Sequence, residues 1–351
     1  MNHSEEIDIG QVRAFLQRAF SPDAAALSES LHRLDQEGSW LAVTLGSSTV
    51  PRSGLAAIHA ILRERWPGHD IEVRSGNTIH RGGTGIGDGR HIVVILGGKG
   101  GVGKSTIAVN LAITLAAMGR RVGLLDGDLN APDLHHLLGI SAPREANTTH
   151  WDLWRTSVLP PSGWLRPVTR YGMDVVSIGL TFADTVAPTI SGRETIAALL
   201  RRLVFETSWS ADILVIDAPP GTGEEVQIML RQLPISAAIM VTTPQDLAQM
   251  DAGRTVSLLR ESGIPVIGMV QNMAYLPCPH CDETIDLFSG SQRLEQAGVA
   301  VLGRIPFDTR LSEGADRGTP LVLGDERRSI SREFVRIAAQ TRTWLDAMPA
   351  G

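Results

Sequence analysis

The stretch Gly97-Gly-Lys-Gly-Gly-Val-Gly-Lys-Ser-Thr106 decides the fold of this chain. From Gly98 onward it fits the pattern G-x-x-x-x-G-K-[ST], whose main-chain N–H groups turn inward around phosphate oxygens. An apolar run, Ile92–Leu96, precedes the stretch, and apolar residues at helical spacing follow it as far as Gly119. A strand, a glycine loop and a helix in this order predict a phosphate-binding site; a purely structural glycine turn is the alternative.

The predicted phosphate loop supplies most of the nucleotide-binding residues. We expect Lys104 to reach the β- and γ-phosphates and the hydroxyl of Ser105 to bind Mg²⁺. The helix that begins here points its positive N-terminal end at the phosphates. The residues assigned to nucleotide binding in this loop are Gly98, Lys99, Gly100, Gly101, Val102, Gly103, Lys104, Ser105 and Thr106.

Short runs rich in Val, Ile and Leu alternate with helical stretches after this loop. The runs are Ile92–Leu96, Val122–Leu125, Ile213–Ile216, Ala238–Val241, Val266–Val270 and Val301–Ile305. This alternation predicts an α/β fold with a mostly parallel sheet covered by helices on both faces. Ligands of such sheets bind at the carboxyl ends of the strands, so we expect the site in the loops that follow these runs.

Composition restricts the class of protein. The chain has 351 residues, a formal net charge of −6 and 43% hydrophobic residues, which is typical of a soluble globular protein of about two domains. The excess of 38 acidic over 32 basic side chains argues against broad nucleic-acid binding. No apolar run reaches the roughly 18 residues that a membrane helix needs, and the start, MNHSEEIDIG, lacks the apolar core of a signal peptide. We therefore expect a cytoplasmic protein that binds neither membrane nor nucleic acid.

A glycine-rich segment divides the chain. Residues 76–90 contain six glycines among fifteen positions, a composition typical of a flexible linker. With the boundary near residue 85, residues 1–75 form a predicted small α+β module and residues 91–351 form the domain with the phosphate loop. The module is predicted to contain a helix around Val12–Phe20, a hairpin within 31–45, a helix over 53–66 and a strand over 70–75.

Lys99 stands early in the phosphate loop, in Lys-Gly-Gly-Val-Gly-Lys-Ser. This placement resembles the deviant Walker A motif of the MinD, ParA and nitrogenase-iron-protein class. In that class the early lysine reaches across a dimer interface to the partner's nucleotide. The resemblance implies a homodimer that sandwiches nucleotide, with Lys99 and Lys104 as catalytic residues. A solvated loop lysine is the alternative.

Two strand ends carry carboxylates. Asp126 and Asp128 are two residues apart, so an extended backbone sends both the same way. In the resembled class the first lies near the Mg²⁺ shell and the second orients the attacking water; an ordinary Asp-rich strand end is the alternative. Asp212–Asp217 is an apolar strand ending in an acid, the Walker B pattern, and Asp217 is predicted to hold Mg²⁺. The turn that follows, Ala218–Glu224, is typical of loops that move with the γ-phosphate.

Base recognition is assigned to a third strand end. Gln271-Asn272-Met273 follows an apolar run, and the amide of Asn272 is expected to bond the adenine edge. A strand-end cap is the alternative role for Asn272. Ile305–Asp308 ends the last run, where main-chain groups often contact the base in the resembled class.

Two cysteines, Cys278 and Cys281, stand three positions apart in a polar loop just after Asn272. Their spacing fits three roles: a redox dithiol, half of a zinc site or half of an iron–sulfur site. Zinc and iron–sulfur clusters usually take four ligands, so the missing pair comes from another subunit, from His280 or Asp282, or from a partner. A symmetric dimer brings two copies of the pair together.

These motifs together resemble the Mrp/NBP35/ApbC family of P-loop ATPases that carry iron–sulfur clusters. The resemblance covers about residues 90–335; the matching segments are GGKGGVGKST, DGDLNAPDLHHLLG, DILVIDAPPGTGE, VTTPQDLAQMD, QNMAYLPCPHCDETIDLFSG and LGRIPFDTRLSEGADRGTPLV. It implies a homodimer with ATP and Mg²⁺ as cofactors. It also implies a [4Fe–4S] cluster held between subunits by Cys278 and Cys281 and delivered to apo-proteins, with ATP binding and hydrolysis gating delivery.

The chain departs from the family pattern at several positions. The N-terminal module resembles the small MIP18-type domain of many bacterial members, but the family's cysteine-containing motif is missing where Ser47–Pro51 stand. The family's usual Glu-Asn-Met is Gln271-Asn272-Met273 here. Its usual tyrosine-glycine-proline is Asn130-Ala131-Pro132, which predicts an altered switch loop.

Two other functions fit the same motifs. The first is a regulatory or positioning ATPase of the MinD/ParA type, with the amphipathic C-terminal helix from Ser329 as a membrane anchor. The mixed charge of that helix favours packing on the sheet instead. The second keeps the fold and makes the cysteine pair a structural zinc clasp.

Overall fold

A computed structural model describes residues 7–19, 31–37, 40–45, 52–67, 69–75, 78–80, 90–140, 167–181, 190–205, 207, 209–278, 280–281, 283–288, 293–324 and 329–348. The chain divides into two compact units, with the division between Gly89 and Arg90. The predicted boundary near residue 85 and the loop at residues 47–51 lie outside the described residues.

The N-terminal unit is a four-stranded sheet with two helices. Its elements are α1 (Ile9–Ala19), β1 (Leu31–Glu37), β2 (Trp40–Leu45), α2 (Arg52–Arg65), β3 (Asp70–Ser75) and β4 (Thr78–His80). The strands lie in chain order; β2 and β3 are parallel, and the other two pairs are antiparallel. Strand β4 falls inside the segment whose glycine content predicts a linker, because pairing with β3 stabilises a strand too short for the sequence to show.

Alternation along the strands builds the core of this unit. Leu41 lies opposite Ile71 and Val43 opposite Val73 on one face of β2 and β3. All four are buried, and they pack against the helices through Val12, Leu16, Ile58 and Leu62. This burial of alternate positions is the reason why the apolar pattern of the module predicts β2 and β3.

The second unit is built on an eight-stranded sheet. In spatial order the strands are β14 (Val301–Arg304), β11 (Val266–Gln271), β10 (Ala237–Thr242), β5 (His91–Gly97), β9 (Ile213–Asp217), β6 (Val122–Asp126), β8 (Met173–Val176) and β7 (Val168–Arg170). Neighbouring strands are parallel except at the edge, where β7 pairs with β8 in the antiparallel sense. The predicted mostly parallel sheet is confirmed; β7 and β8 are the strands that the apolar runs do not predict.

Helices cover the sheet. They are α3 (Lys104–Ala117), α4 (Leu134–Leu137), α5 (Arg193–Phe205), α6 (Glu224–Gln232), α7 (Asp246–Glu261), α8 (Arg293–Gln296), α9 (Thr309–Asp316) and α10 (Ser329–Asp346). The apolar face of α10, with Ile330, Phe334 and Ile337, is buried in the same core cluster as Ile107 and Leu111 of α3. The face that a membrane anchor needs is therefore covered by protein. Among the described residues, none of the helices combines the length and the apolar character needed to cross a bilayer.

A separate two-stranded ribbon carries the cysteine loop. It pairs β12 (Leu276–Pro277) with β13 (Thr284–Ile285) in the antiparallel sense. The main-chain N–H of Cys278 donates to the carbonyl oxygen of Glu283 over 2.9 Å and closes the loop at its base. The ribbon follows β11, so the cysteines lie on the strand-to-helix connection that begins at the carboxyl end of that strand.

Candidate functional site

The phosphate loop connects β5 to α3 at the carboxyl edge of the sheet. Gly103, the residue before the helix, has a φ of 88°, a left-handed conformation that favours glycine. Gly98 allows a close approach, because a Cβ atom there would lie 2.2 Å from the main-chain nitrogen of Ala252 in α7. Gly103 is thus required by the path of the loop, and Gly98 is required by the neighbouring helix.

Both loop lysines have neighbours in the site. Lys104, the first residue of α3, is 8% exposed, and its charge acts on Asp217 and Asp133. The Nζ atom of Lys99 donates to the Oε1 atom of Gln245 over 3.2 Å. Gln245 immediately precedes α7, so within one chain Lys99 lies against the start of that helix. The reach of Lys99 into a partner subunit stays a prediction.

Asn272 lies against the phosphate loop. Its Nδ2 atom donates to the carbonyl oxygen of Val102 over 2.9 Å, and its side chain is buried. A Cβ atom on Gly103 would lie 2.2 Å from the same Nδ2 atom, so the amide also fills the space beside that glycine. The contact with adenine stays a prediction, and the structure adds a second role, that of a brace for the loop.

Asp126 and Asp217 face each other across neighbouring strands, where they form a register pair of β6 and β9. Both are almost completely buried. The Oδ2 atom of Asp126 accepts hydrogen bonds from the Ser177 hydroxyl over 2.8 Å and from the Leu134 N–H over 3.2 Å. The Oδ1 atoms of both carboxylates have no hydrogen-bond partner among the residues that the structure describes. Two buried oxygen atoms are thus left for a ligand.

Burial changes the acidity of this pair. Desolvation, followed by the charge of Asp217, raises the pKa of Asp126 well above its usual range, and the hydrogen bond from Ser177 opposes the shift. Desolvation also raises the pKa of Asp217 to about 7, against a hydrogen bond from Ser105 and the charge of Lys104. The free carboxylates therefore hold protons more tightly than ordinary aspartates do.

Asp133 also belongs to the site, although the sequence pattern singles out only Asp126 and Asp128. It immediately precedes α4, and the hydroxyl of Ser105 is within hydrogen-bonding reach of its carboxylate. Partial desolvation and the charge of Asp128 raise the pKa of Asp133, while Ser105 and Lys104 oppose the shift. The third acid in the segment DGDLNAPD was the available signal, but only the fold of the loop brings it to Ser105.

Asp128 occupies the loop after β6. Its Oδ1 atom accepts a hydrogen bond from the Ala131 N–H over 3.0 Å, which closes a tight turn. Its charge contributes to the raised pKa of Asp217 and of Asp133, so the carboxylate lies near both. The structure thus brings Asp126, Asp128 and Asp217 together at the carboxyl ends of β6 and β9.

The cysteine pair is accessible. Cys278 is half-buried, Cys281 is exposed, and both thiols are free. The main-chain N–H of His280, together with the side chain and main chain of Cys281, lowers the pKa of the Cys278 thiol. Among the described residues, no three His, Cys, Asp or Glu side chains form a group arranged to hold a metal ion. In the described part of one chain the pair therefore finds no third ligand of these types.

A glycine loop at the end of a central parallel strand, with an acid at the end of the next strand, defines a P-loop nucleotide-binding protein. The chain matches the model of the family described as NUBPL iron-transfer P-loop NTPase, within the ParA group, over residues 88–342. The chain belongs to this family, and the resemblance to the iron–sulfur carrier ATPases is confirmed.

Two relatives match this chain over most of their own length. An iron–sulfur cluster carrier protein of Methanocaldococcus jannaschii is 37% identical over 253 residues, which cover 71% of this chain and 82% of that protein. The mouse iron–sulfur cluster transfer protein NUBPL is 34% identical over 266 residues, which cover 74% of this chain and 79% of that protein.

Solved structures support the fold. A nucleotide-binding protein of Archaeoglobus fulgidus in complex with ADP is 29% identical with a TM-score of 0.53, over 65% of this chain and 86% of that one. The cell-division ATPase MinD of Pyrococcus furiosus is 24% identical with a TM-score of 0.53, over 73% of this chain and 99% of that one. The likeness to MinD shows the fold alone.

Proposed function

We propose that this chain is an ATP-dependent iron–sulfur cluster carrier. Two copies hold a [4Fe–4S] cluster between them and pass it to apo-proteins, with ATP binding and hydrolysis gating transfer. The observation that carries the proposal is the presence of the phosphate loop and the accessible pair Cys278 and Cys281 in one domain. Membership of the iron-transfer family and the names of the relatives support it.

The cysteine loop suits a cargo that must be received and released. The lowered pKa of Cys278 favours the thiolate, which is the form that binds iron. The exposure of Cys281 leaves the loop open to a second copy and to a client protein. Since clusters of this type take four cysteine ligands, two symmetric copies of the pair complete one cluster.

An apolar pair beside the phosphate loop supports a homodimer. Leu247 is 70% exposed and Met250 is 44% exposed, three residues apart on one face of α7. Gln245, the contact of Lys99, immediately precedes this helix. The helix that carries the two side chains therefore begins beside Lys99, and a second copy packed on this face would bury them.

The carboxylates fit Mg²⁺. The unpartnered, buried Oδ1 atoms of Asp126 and Asp217 and the hydroxyl of Ser105 are hard oxygen donors of the type that Mg²⁺ prefers. When bound, Mg²⁺ would neutralise negative charge on the phosphates. Main-chain N–H groups of the loop and the Lys104 ammonium bind the phosphate oxygens, and Asp128 orients the attacking water in line with the γ-phosphate. The turn of Ala131 onto Asp128 holds that carboxylate in place.

Anaerobic reconstitution with iron and sulfide tests the cargo. The wild-type chain is expected to gain the broad absorbance at about 400 nm that iron–sulfur clusters show. The variant Cys278→Ser/Cys281→Ser is expected to gain none, and Asp128→Asn is expected to gain the cluster but lose ATP hydrolysis. A double cysteine variant with the wild-type absorbance would contradict cluster binding at this loop.

Metal analysis of the chain purified without air separates cluster from zinc. The proposal predicts iron and inorganic sulfide in equal amounts. One zinc ion per pair of chains, unchanged by reconstitution, would make the cysteine loop a structural clasp and leave the ATPase without this cargo.

A further inference from the structure

The side chain of Asn130 forms hydrogen bonds with two distant parts of the chain. Its Nδ2 atom donates to the carbonyl oxygen of Ile190 over 3.1 Å, and its Oδ1 atom accepts from the Ile190 N–H over 2.8 Å. The same Nδ2 atom also donates to the Oε1 atom of Glu225 in the first turn of α6. Nδ2 thus bonds to one neutral and one charged acceptor, and a bond to a charged group is stronger than one to a neutral group.

Asn130 immediately precedes the residue whose main chain is hydrogen-bonded to Asp128. Ala131, the next residue, donates its main-chain N–H to the Oδ1 atom of Asp128. The direction of the Asp128 carboxylate therefore depends on where the peptide between Asn130 and Ala131 lies. The bonds to Ile190 and Glu225 fix that peptide, because they tie the side chain of Asn130 to two separate elements.

One partner of Asn130, Glu225, is close in sequence to the turn that follows Asp217. Glu225 is the second residue of α6, which follows the turn Ala218–Gly223 after the predicted magnesium ligand Asp217. Ile190 precedes α5, and an ion pair between Arg193 and Glu224 joins the first turns of α5 and α6. The loop of Asp128 and the turn after Asp217 are thus tied to the same two helix starts.

We infer that Asn130 is a positioning residue for Asp128, which holds the loop after β6 against α5 and α6 so that the water-orienting carboxylate is in place when ATP binds. The inference rests on the proposed role of Asp128 in hydrolysis. Asn130 is exposed and contacts no phosphate-loop residue among its described hydrogen bonds, so its loss should leave nucleotide binding and folding nearly intact.

The test compares Asn130→Ala with Gln232→Ala in the full-length chain. Gln232 also links α5 to α6, through a hydrogen bond from Arg201 over 3.1 Å, but it stands at the far end of α6. A small displacement of a catalytic group is expected to lower kcat by roughly 10- to 100-fold. We therefore expect such a fall in Asn130→Ala, with the Kd for a non-hydrolysable ATP analogue and the Tm close to wild type. We expect Gln232→Ala to hydrolyse ATP at the wild-type rate.

Hydrogen exchange gives a readout that does not need hydrolysis. Asn130→Ala is expected to exchange faster than wild type in peptides covering 127–134, and Gln232→Ala is not. Wild-type kcat in Asn130→Ala, or a fall in kcat that the Kd and the Tm follow, would overturn the inference. Unchanged exchange over 127–134 would overturn it as well. Absence of hydrolysis in the wild-type chain is a different result, which counts against the proposed function and leaves the exchange experiment valid.

Discussion

The side chain of Asn272 donates a hydrogen bond to the carbonyl oxygen of Val102 over 2.9 Å, and this bond joins the carboxyl end of β11 to the phosphate loop. Both residues are buried, so an unpaired Val102 carbonyl would lack the water that usually replaces a lost partner. The bond makes a strand end part of the nucleotide site whether or not the amide also contacts the base.

Asn272→Ala should weaken binding of the triphosphate itself. An unsatisfied buried carbonyl costs about 1–3 kcal/mol, which corresponds to a loss of affinity of roughly 5- to 150-fold if the cost falls mainly on the loop in its binding conformation. Calorimetry with ATP and with tripolyphosphate separates the two roles of Asn272. Equal losses for both ligands support the brace, whereas a loss for ATP alone would assign the residue to adenine and contradict the brace.

Gly98→Ala should destabilise the fold, because the new Cβ atom would meet the main chain of Asp251 and Ala252 at 2.3 and 2.2 Å. Overpacking of this kind costs about 1–3 kcal/mol, and backbone atoms yield less easily than side chains. Gly100→Ala in the same loop is the matched control, since nothing lies within 4 Å of its Cβ position. Urea unfolding of both variants checks the prediction, which equal midpoints would refute.

The raised pKa of Asp217 should make the metal-free chain less stable as pH rises. Its folded-state pKa of about 7 lies above the usual value of roughly 3.9, so the folded state binds the extra proton between these values. The stabilisation from this group is present below about pH 4 and is lost as pH rises through about 7, at up to about 1.4 kcal/mol per pH unit. Mg²⁺, which needs the ionised carboxylate, should bind more tightly over the same rise.

Unfolding by urea in chelator, between pH 5 and pH 7, measures this slope. Asp217→Asn should flatten the pH dependence relative to wild type. Asp212→Asn is the control at the other end of β9, because a hydrogen bond from Arg121 lowers the pKa of Asp212 and leaves it ionised throughout this range. Identical slopes for wild type and Asp217→Asn would show that Asp217 titrates normally.

Leu247→Glu should prevent ATP-dependent dimerisation. A charge at a buried interface position is costly, and the side chain is 70% exposed in the single chain, so folding should be unaffected. Val335→Glu on α10 is the matched control, since Val335 is 48% exposed and lies on a different helix. Light scattering with a non-hydrolysable ATP analogue reads out the mass; a Leu247→Glu dimer as stable as wild type would place the interface elsewhere.

Local patterns predict the parts of this site that lie within one stretch of chain. The glycines from Gly98 to Gly103 meet the backbone needs of the phosphate loop, and the apolar run before Asp217 meets the burial needs of a central strand. Both needs are met by residues that are neighbours in the sequence, so both are visible there. The parallel sheet follows from repetition of the same pattern, because strands buried on both faces read as continuous apolar runs. Strands β7 and β8 escape this rule because they are short and one of them lies at the edge.

Contacts between distant residues are not visible in this way. Asn130 and Ile190 are 60 positions apart, and Asn272 and Val102 are 170 positions apart. The position of Asp133 beside Ser105 depends on the turn that Asp128 and Ala131 close. Each of these contacts is made by one polar side chain with no periodic pattern around it, so the fold alone reveals the partner.

Asn272, which braces the phosphate loop, and Cys278 of the cysteine loop are joined by one short piece of main chain. Six positions separate Asn272 from Cys278, a span of at most about 21 Å when fully extended. Two bonds fix the middle of this piece: Ala274 donates to Ile305 over 2.9 Å, and Phe307 donates to Tyr275 over 2.7 Å. The phosphate loop and the cysteine loop are therefore joined by one short segment that is held at its middle, which gives the proposed coupling of nucleotide to cluster a direct path through the main chain.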